Sequence, residues 1–131
     1  MGALEQALEL TRSYALERKQ FGNPLAKYQL VQAKLAQTTT DIACGLLAAW
    51  QVGRLKDSGE LAAEMISMVK RQNCDRALIG TRLLQEVFGG NAVSDEYHIG
   101  RIEHNLHVVQ TVTIFGEEPH YSTRDSRIFM L

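Results

Sequence analysis

Three places in this sequence gather residue types able to do chemistry. The first is residues 14–29, Y-A-L-E-R-K-Q-F-G-N-P-L-A-K-Y-Q, where a basic helical stretch runs into an aromatic and a turn. Pro24 disfavours helical geometry at Asn23 and has no N–H to donate, so Gly22, Asn23 and Pro24 are expected to stop the helix. That stop leaves Arg18 in the last turn, with Gln20 and Phe21 just beyond it. Spacing alone leaves two readings open. Arg18 either complements the negative end of the helix dipole, with Phe21 folded back as a hydrophobic lid, or offers its donor fork to a phosphate beside an aromatic wall.

The second place is E-V-F-G-G-N at 86–91. Paired glycines at a helix end usually form a C-cap. Their other use is close approach of backbone to a ligand, since neither carries a Cβ. The third is His98, Glu103, His104 and His107. His104 and His107 share a helix face, yet zinc needs about four convergent ligands, and no Cys or H-E-x-x-H lies nearby. Histidines facing solvent or a partner are expected, and no metal. Glu60 and Glu64 read as a solvated face. No Gly-rich phosphate loop, nucleophile elbow or triad spacing occurs.

These groups need elements to hold them. Residues 3–18 put Ala3, Leu4, Ala7, Leu8, Thr11, Tyr14 and Ala15 on one helical face. Val31, Leu35, Ile42, Leu46, Ala49 and Trp50 predict a long helix over 28–56, followed by a turn at Asp57-Ser58-Gly59. Leu61, Met65, Met68, Val69, Ala77, Leu84 and Val87 predict a third helix over 60–88. Ser94 is expected to cap a fourth helix beginning at Asp95, whose acid suits the positive end. Gly45 and Gly53 each cost the second helix about 1 kcal/mol against alanine and are expected to mark close helix contacts. Short links between long amphipathic helices predict an all-α fold, an antiparallel up-down four-helix bundle. Val108 to Phe115, V-V-Q-T-V-T-I-F, is β-branched and partly alternating, and is expected to be extended.

Composition narrows the function classes. The 131 residues suit one domain or a piece of one, with 45% hydrophobic and 22% charged residues. A net charge of −1 provides no field to recruit nucleic acid or an acidic membrane. The apolar run from Ile42 to Trp50 is too short to span a bilayer. The amino-terminal stretch is amphipathic and acidic, unlike a signal peptide. Cys44 and Cys74 fall within helical patterns and are expected to be reduced core thiols.

Taken in order, residues 14–29, G-R-L-K-D at 53–57, K-R-Q-N-C at 70–74 and F-G-G-N-A-V-S-D-E-Y-H at 88–98 resemble the carboxy-terminal domain of acyl-CoA dehydrogenases, nearest the glutaryl-CoA dehydrogenase branch. The resemblance sets a bundle over 1–111 and a divergent tail over 112–131. It implies a flavoenzyme with a helical amino-terminal domain, a small β domain and this bundle. FAD would lie between them and across a subunit interface of a homotetramer, in the bacterial cytoplasm or mitochondrial matrix. The upstream domains, which would supply most of the acyl-CoA pocket, are not in these 131 residues. By position, Arg18 matches the arginine on the FAD pyrophosphate of a neighbouring subunit. Gln20 and Phe21 match residues beside that nucleotide, and Gln29 a glutamine bonded to it. Gly89 and Gly90 match glycines that approach the adenosine part of FAD. Glu86 matches a further FAD-binding position, where relatives often carry a hydrogen-bonding glutamine, and Ala92 stands where they carry glycine.

The resemblance also implies a reaction. The glutamate of a Tyr-Glu-Gly-Thr turn takes the α-proton of an acyl thioester while hydride leaves the β-carbon for flavin N5, and the glutaryl branch then decarboxylates to a crotonyl thioester. Here Val112-Thr113-Ile114-Phe115 falls at that turn, with Thr113 in the base's place. An alcohol does not serve as that base near neutral pH without activation. Glu117 and Glu118 would need a shifted turn. The expectation is an FAD-interface bundle inactive as this fragment; the alternative is a non-catalytic helical scaffold kept for oligomerisation. Codons for Arg124-Asp125-Ser126-Arg127, read one base later, can encode Val-Ile-Leu-Gly, so part of the tail reads as an out-of-frame continuation. Without the family's last helix, the isolated chain is expected to expose apolar surface and to be marginally stable or oligomeric.

Overall fold

The computed structural model describes residues 1–115, which form four α-helices and one small hairpin. In order these are α1 (Gly2–Glu17), β1 (Lys19–Gln20), β2 (Asn23–Pro24), α2 (Gln29–Ser58), α3 (Ala63–Phe88) and α4 (Ile99–Phe115). Short 3-10 turns lie at Leu25–Lys27, Gly89–Val93 and Asp95–Tyr97. The fold is all-α, as expected. The tail lies outside the described residues from 116 onward, and so does the out-of-frame reading.

Helix α3 is the hub, packing against α1, α2 and α4. Helix α1 buries Leu4, Ala7, Thr11 and Ala15, the spacing that keeps one face on the core. Leu4 and Ala7 join one cluster with Ile42 from α2, Leu78, Leu84 and Phe88 from α3, and Ile99, Ile102 and Leu106 from α4. Three threonines are fully buried without stranding a hydroxyl. Thr11, Thr38 and Thr81 donate to the carbonyls of Ala7, Lys34 and Ala77, each one turn back. Close approach is enforced at Gly80, where a Cβ would lie 2.9 Å from Leu4 Cδ1. Gly45 is similar, with Met1 Cε at 2.6 Å and Asn73 Oδ1 at 2.7 Å. Gly53, expected to behave alike, has nothing within 4 Å.

The ends of the helices have local causes. Helix α2 stops at Gly59, which takes φ 75°. The N–H of Glu60 reaches back to the Leu55 carbonyl at 3.0 Å, closing the turn and satisfying an end carbonyl. Helix α1 stops at Glu17, before the Gly-Asn-Pro expected to break it: Arg18 is already extended and leads into the hairpin. Ser94 caps the 3-10 turn rather than α4, accepting a bond from the Glu96 N–H at 3.4 Å. His98 then takes a left-handed φ of 58°, and α4 begins at Ile99.

Three further expectations are corrected. Val108 to Phe115 is helical, not extended, because it continues α4, whose Ile99, Ile102 and Leu106 hold the core. The α2 stripe also turns away from the core in its second half. Thr38, Ile42 and Gly45 face inward, leaving Leu46, Ala49 and Trp50 exposed. Trp50 carries the Arg54 guanidinium over its ring at 5.0 Å. Cys44 is exposed rather than in the core, and Cys74 is half-buried. Among the described residues, no helix is long and apolar enough to cross a membrane.

Candidate functional site at the hairpin and the α3 end

The segment after α1 folds into a hairpin with Lys19 opposite Pro24 and Gln20 opposite Asn23. Its two turn residues, Phe21 and Gly22, both take positive φ, 52° and 79°. Such a two-residue turn matches the right-handed twist of the strands, and glycine adopts it freely while phenylalanine does not. The Phe21 ring is 91% exposed, so it is neither a lid folded onto the bundle nor part of a wall within this chain. Tyr28 Oη donates to the Gln20 carbonyl at 2.9 Å, and Lys27 Nζ to Asn23 Oδ1 at 2.9 Å. These bonds tie the hairpin to the start of α2.

Opposite the hairpin lies the end of α3. Gly89 takes φ 57° and ψ −134°, a backbone geometry open in practice to glycine alone, and this turns the chain out of the helix. Gly90 is different: it needs no special φ, and a Cβ there would meet nothing within 4 Å. An aromatic cluster fixes this corner against α1. Tyr14 stacks on Phe88 with ring centroids 4.4 Å apart, and Tyr97 meets Tyr14 and Phe88 edge-on at 5.4 and 5.6 Å. Asn91 Nδ2 donates to Tyr14 Oη at 2.9 Å, which pins the glycine turn to the same helix.

Between the hairpin and the glycine turn is a groove of about 350 Å³. Arg18, Gln20, Glu86, Gly89 and Gly90 all line it, although the two sets are far apart in sequence. Phe21 and Gln29 do not; Gln29 is an exposed first residue of α2. Reading the sequence missed Lys34, Tyr14 and Asn91 as lining residues. Leu30, Val31 and Lys34 sit one turn apart on α2, a spacing able to reveal that face. Lys34 Nζ forms an ion pair with Glu86 Oε2 across the groove. Chemically the groove offers two cations, one carboxylate and bare backbone, which suits an anion carried on a larger molecule.

A second cleft runs along the start of α4. Its lining includes His98, Arg101, His104 and Arg82, the last bonded to Glu103 at 2.9 Å. Among the described residues, no three His, Cys, Asp or Glu side chains converge into a metal-holding group. Thr113 falls within the last part of α4.

Four helices with a groove at the junction of α1, α2 and the α3 end make this an all-α helical domain. The family model described as acyl-CoA dehydrogenase, C-terminal domain, matches residues 1–116, and the chain belongs to that family. A solved glutaryl-CoA dehydrogenase from Mycobacterium smegmatis is 38% identical, with a TM-score of 0.81 over 86% of this chain and 29% of its own. The M. smegmatis structure in complex with FADH2 gives 37% identity and the same TM-score and coverage. A 3-(aryl)acrylate reductase from Clostridium sporogenes is 29% identical over 83% of this chain and 29% of its own length. The chain thus spans under a third of these relatives.

Proposed function

We propose that this chain is the FAD-interface domain of an acyl-CoA dehydrogenase resembling glutaryl-CoA dehydrogenase, contributing nucleotide contacts and no catalytic base of its own. The observation that supports it is the meeting of Arg18, Gln20, Gly89 and Gly90 on one groove. The residues fit the group on chemical grounds. Arg18 offers a planar donor fork suited to a pyrophosphate. Gly90 offers backbone beside open space that the fold itself does not require. Phe21, held out from the molecule, and Gln29 would meet a nucleotide bound mainly by another protomer. When bound, FAD supplies the hydride acceptor. The complete enzyme would be a homo-oligomer, the family tetramer, acting on an acyl-CoA whose pocket comes mostly from domains outside this chain. Thr113, at the position of the family's glutamate, leaves proton abstraction without a carboxylate there.

The test is FAD titration into the chain, alone and combined with the part of the M. smegmatis relative that this chain does not match. Arg18→Ala should weaken FAD binding about tenfold, the loss of a hydrogen-bonded charge contact. Unchanged affinity removes the nucleotide role. A second reading, a non-catalytic scaffold for oligomerisation, draws support from the exposed Leu47 and Trp50 on α2. Sedimentation showing an oligomer that binds no flavin would favour it.

A further inference from the structure

From the groove geometry we infer that Lys34 is a second cationic ligand for the diphosphate of the bound nucleotide, with Glu86 holding its place while the groove is empty. The inference rests on the nucleotide reading above and assigns a residue that the family resemblance does not.

The asymmetry of the ion pair carries it. Lys34 and Glu86 come from different helices and meet at the groove that Arg18, Gly89 and Gly90 also line. The Lys34 side chain is only 24% exposed, so most of its water is gone and its charge needs an anion close by. Glu86 is 62% exposed and can move its carboxylate into water at little cost. The ammonium is therefore the fixed member and the carboxylate the exchangeable one. A phosphate oxygen entering the groove replaces Glu86 on Lys34, and Arg18 takes the neighbouring oxygens. Glu86 is also the one carboxylate lining this groove among the described residues, so its departure removes the like charge facing the incoming anion. No bond is made or broken; the anion on Lys34 is exchanged.

The FAD titration above tests it, with riboflavin, which lacks the diphosphate, as the control ligand. Lys34→Met should weaken FAD binding about tenfold and flatten its dependence on ionic strength. Riboflavin binding should not move, and Lys34→Arg should keep FAD affinity. Glu86→Gln should tighten FAD about threefold at low salt, since a like charge has left the groove. A structural tie gives a different pattern: both variants break the same ion pair, so both would weaken FAD alike, and that result overturns the inference. If Lys34→Met changes nothing while Arg18→Ala weakens binding, Lys34 is no ligand and the nucleotide reading stands. If neither changes binding, or the unaltered chain binds no FAD in either form, the nucleotide reading falls and this inference with it.

Discussion

Replacing Gly89 and Gly90 by alanine, one at a time, is expected to give opposite results in two assays. Gly89 holds φ 57° and ψ −134°. A side chain forced there costs about 1–3 kcal/mol, although no atom lies within 4 Å of where its Cβ would stand. At about 4 °C per kcal/mol for a domain of this size, Gly89→Ala should melt about 4–12 °C lower. Gly90 has no positive φ, and a Cβ added to it would meet no atom within 4 Å. Gly90→Ala should therefore keep stability within about 0.5 kcal/mol of the parent. Its methyl group stands at the groove, where overpacking against a ligand costs about 1–3 kcal/mol, or roughly five- to a hundred-and-fiftyfold in FAD affinity. Calorimetric melting and flavin titration on the same two preparations separate the effects. Melting of Gly90→Ala as low as Gly89→Ala would refute this division of roles, since the fold then needs both glycines. Parental FAD affinity in Gly90→Ala would refute it equally.

The remaining expectations concern the bundle, the cleft and the hairpin. Gly80→Val should lose about 1–3 kcal/mol in urea unfolding, because Leu4 is fully buried and has no room to yield. Gly53→Ala, in open space within a helix, should instead gain about 0.5–1 kcal/mol in the same measurement. Arg82→Ala leaves Glu103, whose side chain is 14% exposed, without its ion-pair partner, and should cost about 1–3 kcal/mol by chemical denaturation. Phe21→Asn should leave the melting temperature unchanged or raise it, since asparagine tolerates left-handed φ better.

Much of the bundle is legible in the residues. Leu4, Ala7, Thr11 and Ala15 give α1 its face, and Ala77, Leu84 and Val87 give much of α3 its own. The misreading at Val108 to Phe115 has a physical cause. β-branched residues lose only a few tenths of a kcal/mol each in a helix, and packing outweighs that loss. Ile99, Ile102, Leu106 and the half-buried Gln110 carry the helical period through the run. Gln110 even donates to Asp75 on α3 at 2.9 Å. The site was legible as two separate motifs, because Arg18 and the paired glycines each have a recognisable local setting. Lys34 was not, since a lysine within a helix looks like solvated surface until α3 is set beside it. Gly53 was misjudged for the opposite reason: sequence alone does not say which side of a helix has a neighbour.

The tip of the hairpin carries a consequence for assembly. Phe21 combines a backbone geometry that disfavours any side chain with an apolar ring facing water. The free chain bears both penalties and gains nothing within itself in return. Any surface that buries the ring recovers about 1.5–3 kcal/mol of apolar transfer, while the backbone strain is already present and adds no new cost on docking. The aromatic is thus set out before contact, an anchor already extended toward any surface that would receive it.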